Sequence, residues 1–292
     1  MAGRSVSGDL RDTLLGKISL DTGYDKPKGI VAGFVPVCEF VEACEIIANL
    51  AYALSARGAV VCVVDFKVFY PNLCDWLGGA TSDKKGNGLI RLLNSERTEV
   101  RSIVLETDEK NIFLIAPSPN DDIEDYLSYS IDDVTRIITM LKETFDVVLI
   151  DIPNNPGLEF FIGAMMNCQK GFLIAPERVD AQRNIQKLME FALRITNNAR
   201  NFNSVILARQ QGLVYDRSML TGTRVGGERE GDGVKMRLAA NIPYIREAQQ
   251  CALDGSVYIR DGALANRNLT KAGKTFAREI DGLAGMVLEV GC

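Results

Sequence analysis

Histidine is absent from all 292 residues. That single absence excludes His-dependent catalytic triads, imidazole proton shuttles and His-ligated metal centres. Cysteine occurs seven times, at Cys38, Cys44, Cys62, Cys74, Cys168, Cys251 and Cys292, but never in C-x-x-C spacing. No paired-cysteine zinc site is therefore offered, and no bound metal is expected. Several of these thiols lie inside apolar runs, where Cys acts as a small hydrophobe, so a reduced state is expected. A strong charge of one sign is also missing: 33 Lys and Arg stand against 38 Asp and Glu, a net −5. This balance gives no general reason to expect nucleic acid or an anionic membrane, and it leaves proteins as the expected partners. Residues 1–28 carry Arg4, Asp9, Arg11, Asp12, Lys17, Asp21, Asp25 and Lys26, with no apolar run of signal-peptide or membrane-spanning character. The expected location is cytoplasmic.

What is present is alternation. Gly29–Phe34 reads as a short apolar strand, Glu42–Arg57 as a helix that stops at Gly58, and Ala59–Val64 as a second, β-branched strand. Further strands are expected at Asn111–Ala116, Asp146–Ile150, Gly171–Ala175 and Ser204–Ala208, with a last short one at Ala240–Ile242. Helices are expected at Ile131–Glu143, Ala181–Asn197 and Leu269–Leu288. Uninterrupted apolar strands separated by helices suit a doubly wound, mostly parallel α/β sheet with helices on both faces. One domain is expected over 29–292, after a polar leader at 1–28. The Gly-, Arg- and Glu-rich stretch 211–235 has no periodicity and reads as a mobile loop.

In open α/β sheets, ligands bind beyond the carboxyl ends of the strands, so the loops after each strand carry the functional information. Three such segments stand out: Val35–Glu45 running into Ile46–Gly58, then Val64–Gly78, then Phe145–Asn155. Ala48-Asn49-Leu50-Ala51 on the first helix, Asp65 with Pro71 and Leu73, and Asp146 with Asp151 and Pro153 together resemble the ParA/MinD family of deviant-Walker P-loop ATPases. The order and spacing of these motifs fit, over about residues 29–290, and the chain is most similar to the CpaE/TadZ-like branch. The resemblance implies a P-loop NTPase-like fold.

The departures from that family are concentrated at its phosphate loop. Registered on Ala48–Ala51, the family's K-G-G-x-G-K-T-T falls on Cys38-Glu39-Phe40-Val41-Glu42-Ala43-Cys44-Glu45. A working loop needs glycines so that backbone N–H groups approach phosphate, a Lys for the β/γ oxygens, and a hydroxyl on Mg²⁺. Here bulky side chains and three carboxylates stand instead. A carboxylate ~4 Å from a phosphate costs on the order of 4 kcal/mol at an effective dielectric near 20. Lys67 takes the position at which the family carries a second, water-orienting Asp, and Asp151 takes the Walker-B position. Where relatives carry an adenine-reading Asn, this sequence has Ala208-Arg209.

Each of these residues also has a plainer reading. Asp65 and Asp151 suit polar caps on buried strands, or weak ligands for Mg²⁺. Glu39 and Glu42 suit the first helical turn. Lys67 suits solvent, or an internal ion pair with Glu42 or Asp151. The basic stretch from Arg260 to Arg278 suits a solvated helix face, or a DNA or lipid surface.

The leading expectation is therefore a non-catalytic pseudo-ATPase without cofactor, a scaffold or localisation factor in a larger assembly, with a pilus or secretion ATPase as candidate partner. A homodimer through the face of the degenerate loop is expected. The alternatives are an ATPase that binds ATP and Mg²⁺ through a remodelled loop, and a DNA- or membrane-positioning protein.

Overall fold

The computed structural model describes residues 29–289 apart from 40, 42, 79–87, 96–99, 119, 155–157, 211–223, 226–232 and 261–268. The chain begins with β1 (Ile30–Pro36), α1 (Cys44–Ala56) and β2 (Val61–Asp65). Three short helices follow, α2 (Leu73–Leu77), α3 (Leu89–Leu93) and α4 (Val100–Ile103), before β3 (Leu105–Glu106) and β4 (Ile112–Ile115). Strand and helix then alternate through α5 (Ile131–Thr144), β5 (Val147–Asp151), α6 (Leu158–Asn167), β6 (Lys170–Pro176), α7 (Val179–Ile195) and β7 (Ser204–Ala208). The remaining elements are β8 (Arg224–Val225), β9 (Val234–Lys235), β10 (Arg237–Ile242), α8 (Arg246–Leu253) and α9 (Lys271–Leu288).

Eight strands form one sheet in the order β10-β7-β6-β1-β5-β2-β4-β3. All neighbours run parallel except the β3–β4 pair. β2 and β5 are buried at every residue and read as continuous apolar runs, because both faces of a doubly wound sheet are covered. α1 packs with α9 and α5 with α6. α5 shows how the sequence dictates its element. Ser130 and Asp133 close a capping box at its start, and Val134, Ile137, Ile138 and Leu141 make one buried stripe. Gly58 ends the first helix at φ 85, a backbone shape that other residues adopt only with strain.

At the centre of the sheet, Gly33 of β1 pairs directly with Gly171 of β6. The two missing side chains leave a slot for the buried Phe202 ring. A Cβ at Gly171 would lie 2.5 Å from each Cδ of that ring, and one at Gly33 would lie 2.6 Å from Cys168 Sγ and from Ile152 Cδ1. At one edge, the Asn241 backbone N–H of β10 donates to Glu279 Oε2 of α9 at 3.0 Å. The opposite edge is the two-residue antiparallel strand β3.

The first helix begins at Cys44 rather than Glu42, and β10 starts at Arg237, three residues ahead of its expected start. Within the stretch expected as a loop, Arg224–Val225 and Val234–Lys235 pair as an antiparallel ribbon, so part of it is strand. The rest of 211–235 up to residue 232, and the leader at 1–28, lie outside the described residues. Among the described residues no helix is long and apolar enough to cross a membrane.

Candidate functional site

Because β2 and β5 are neighbours in register, their last residues, Asp65 and Asp151, lie side by side at the carboxyl end of the sheet. Both are fully buried. Asp65 caps the loop that follows its strand: Oδ1 accepts the Lys67 N–H at 2.9 Å, and Oδ2 accepts those of Asn72 at 3.0 Å and Leu73 at 3.2 Å. Asp151 meets a cation instead. Lys67 Nζ lies 2.7 Å from its Oδ2, with 19% of the Lys67 side chain exposed. The ammonium also donates to Asn72 Oδ1 at 3.2 Å and to Cys44 Sγ at 3.4 Å. The Cys44 thiol sits 3.2 Å from the same Asp151 oxygen and touches Asn72 Oδ1. Of the two partners expected for Lys67, Asp151 is the one it meets, and Glu42 lies outside the described residues.

Two buried carboxylates lie side by side with one ammonium, which contacts Asp151, and the electrostatics follow. Burial, then the neighbouring Asp151 charge, push the Asp65 carboxyl up to about 7 against the opposing pull of Lys67 and the backbone donors. Burial alone would lower the Lys67 ammonium, but Asp151, ahead of Cys44 and Asp65, reverses that and holds it protonated. Burial and Asp151 keep the Cys44 thiol protonated as well.

The folded chain therefore holds a proton on Asp65 more tightly than the unfolded chain, whose carboxyl sits near 3.8. The resulting contribution to stability is complete below that value and is lost as pH rises through about 7. Denaturant titrations at several pH values should show a downward stability slope between about pH 4 and 7 that Asp65→Asn lacks. Parallel pH profiles for the two proteins would refute this.

The loop between β1 and α1 is packed with side chains. Val37, Cys38, Val41, Ala43 and Cys44 are buried, and Phe40 and Glu42 lie outside the described residues. Its backbone carbonyls are held by neighbours: Asn154 Nδ2 donates to Pro36 O at 2.7 Å, and Asn184 Nδ2 to Val37 O at 3.1 Å. Glu39 is exposed and precedes the helix, which leaves Glu45 as the acid in the first turn. Glu39 therefore does not occupy the first-turn position expected for it.

Beside this loop, Glu45, Ile46, Arg209, Ile242, Tyr244 and Gln249 contribute to the walls of a cleft of ≈ 170 Å³. Glu45 Oε2 accepts from Gln249 Nε2 at 2.7 Å. Arg209 Nε donates to Asn241 Oδ1 at 2.9 Å and faces Glu177 Oε1 at 3.4 Å. Asn72 and Gln249 were not anticipated as site residues, although Asn72 stands seven positions after Asp65, between Pro71 and Leu73 of the recognised pattern.

On the basic stretch, Arg260 pairs with Glu109 and Arg278 with Glu279, and residues 261–268 lie outside the described residues. Among the described residues no group of three or more His, Cys, Asp or Glu is arranged to hold a metal ion.

No family model matches the sequence, and no curated protein does. Solved structures do match its fold. MinD of Pyrococcus horikoshii OT3, complexed with Mg-ADP, is 19% identical at a TM-score of 0.67, covering 89% of this chain and 99% of that one. MinD in the MinC:MinD complex of Aquifex aeolicus is 17% identical at 0.66, covering 88% and 96%. A ParA family ATPase of Chlorobium tepidum TLS is 17% identical at 0.65, covering 88% and 98%. The first of these corrects one expectation. A chain without cofactor was expected from the loop residues, whereas this fold holds Mg-ADP in the Pyrococcus protein, so the absence of a cofactor does not follow from the architecture. The chain has the fold of the MinD and ParA ATPases.

Proposed function

We propose that this chain is a non-hydrolysing relative, by fold, of the MinD and ParA ATPases that presents a nucleotide-linked surface to protein partners. The observation that carries the reading is the 2.7 Å ion pair between Lys67 and Asp151. Phosphoryl transfer is mostly positioning and charge stabilisation, so it needs a metal-holding carboxylate and a group that orients water. One side chain removes both: Lys67 replaces the water-orienting acid and engages the carboxylate.

The fit to a nucleotide divides along the site. At the phosphate end, the loop has neither Lys nor Gly from residue 36 to 45, and its buried side chains fill the space a phosphate would take. At the other end, apolar Ile46 and Ile242 with polar Glu45, Arg209 and Gln249 suit a planar ring with hydrogen-bonding edges. The cleft is smaller than the ~300–1,000 Å³ of sites that enclose a whole drug-sized ligand. It would hold the base while the phosphates reach outward with their magnesium; the buried Asp65, engaged by backbone N–H groups, and the buried Asp151, engaged by Lys67, do not fit as ligands of that ion.

One precedent supports a scaffold reading. The Aquifex relative by fold is a MinC:MinD complex, a precedent for a protein partner on this architecture. The assemblies we propose are self-association as a homodimer and docking to a pilus or secretion ATPase.

The test is single-turnover release of labelled phosphate from Mg-ATP, with bound ADP measured by equilibrium dialysis on the same preparation. Nucleotide binding without phosphate release above buffer is expected. Mg²⁺-dependent release abolished by Asp151→Ala would sink the reading.

A further inference from the structure

Three loops leave the carboxyl ends of the adjacent strands β5, β2 and β4, and one buried ring ties them together. Phe160 of α6 lies 5.3 Å from the ring of Phe66, just past β2, and 6.1 Å from the ring of Tyr126, in a 3₁₀ turn (Ile123–Ser128) past β4. All three rings are buried. Around this platform the same loops turn large apolar side chains outward: Phe69 and Tyr70 after β2, Ile123 and Leu127 in the turn, and Leu158 at the start of α6. Tyr70 is 81% exposed, Leu127 76% and Leu158 53%. Single exposed apolar residues are ordinary, but these loops hold five of the eleven large ones exposed among the described residues, which makes a patch of the kind that partners cover.

The charge around the patch has one sign. No Lys or Arg occurs from Val68 to Asp83, from Asn111 to Thr135 or from Phe145 to Gln169, and Lys67 is turned inward onto Asp151. Exposed acids stand among the apolar side chains: Asp122, Glu124 and Asp125 at the turn, and Glu159 beside Leu158. The turn is held in shape by Asp121, which accepts from the Ser118 N–H at 2.7 Å and from the Tyr126 hydroxyl. The loop after β2 is held by Asp65, through the Lys67 and Asn72 N–H groups. A fixed apolar platform with an acidic rim complements a helix that carries leucine-type side chains on one face and Lys or Arg on its flanks. An anionic membrane would be repelled by the same rim, and a second copy presenting the same face would set acid against acid.

We propose that this patch docks a basic amphipathic helix of a partner protein. The inference rests on the reading of the chain as one that acts through protein partners, and it adds the chemistry of the partner and the place where it binds. The apolar face of the helix covers Tyr70, Leu127 and Leu158, and its cationic flanks meet Glu124, Asp125 and Glu159.

The probe is a fluorescein-labelled helical peptide of leucine, lysine and alanine with its leucines on one face, compared by fluorescence anisotropy with an isomer of the same composition whose leucines are spread around the helix. Wild type should bind the first at least tenfold more tightly than the second. Leu127→Ser combined with Leu158→Ser should weaken binding at least tenfold at low and at high salt. Glu124→Gln combined with Asp125→Asn should weaken it at least fivefold at low salt and less at high salt, where the charges are screened. All four substituted side chains are exposed, so the variants leave the core intact. Equal affinity for the two peptides would mean that charge alone attracts them, and variants that bind like wild type would place the contact elsewhere; either result overturns the proposal. So would a wild-type dimer that Leu127→Ser with Leu158→Ser turns into a monomer in sedimentation, because a second copy would then be what covers the patch. No arm of the test uses nucleotide, so failure here is distinguishable from failure of the non-hydrolysing reading.

Discussion

Lys67→Met is expected to lower the unfolding free energy by about 3–5 kcal/mol, the usual consequence of removing one partner from a buried ion pair. Asp151 has no exposed surface, so water cannot replace the ammonium without the structure opening. Surface pairs such as Arg178–Asp180 at 2.7 Å, both part-exposed, should contribute no more than about 1 kcal/mol by comparison. The check is urea denaturation of wild type, Lys67→Met, Asp151→Asn and the double variant. The double variant should recover most of the loss, because removing both charges leaves no uncompensated carboxylate. A single-variant cost below about 1 kcal/mol, or strictly additive losses, would show that the pair is solvated and would weaken the case for Lys67 as the cation of this site.

The second large effect lies away from the site, at the paired glycines. Gly171→Ala should cost about 3 kcal/mol, the upper end of the range for overpacking, because the new methyl meets the Phe202 ring well inside contact distance. The ring cannot step aside easily: Phe202 is fully buried and sits above Gly33 as well. Combining Gly171→Ala with Phe202→Leu should cost less than the two single changes summed, since the smaller side chain makes room for the methyl. Calorimetry of the four proteins reads this directly, and a Gly171→Ala protein as stable as wild type would show that the slot is not a packing constraint.

The strands were legible because parallel strands covered on both faces read as unbroken apolar runs, as Val61–Asp65 and Val147–Asp151 do. β3 was not legible, because Leu105–Glu106 is too short to show a period. The β8–β9 ribbon was hidden by its Gly-, Arg- and Glu-rich surroundings, which carry the composition of a loop. At the site, Lys67 and Asp151 could be brought together on paper, because each follows or ends a strand and the recognised motifs place those strands side by side. The cleft could not be read in the same way. Its walls come from Glu45, Arg209, Tyr244 and Gln249, residues far apart in the chain that share no periodic signal. Asn49 shows a similar blind spot. It occupies a fully buried position on an otherwise apolar helix face, and only the fold reveals that its amide bridges Glu45 O and the Ile259 N–H.

The two borders of the sheet limit how anything can attach to this molecule. Docking by strand addition needs a row of unpaired backbone groups along an outer strand. On β10 that row is interrupted at Asn241, whose outward N–H is already taken by Glu279, and β3 offers just two residues in the opposite direction. Recruitment by this protein should therefore depend on side-chain surfaces of loops and helices, and it should tolerate partners whose own sheets are closed. The same borders disfavour open-ended growth by edge-to-edge strand stacking, so any self-assembly should run through side-chain surfaces instead.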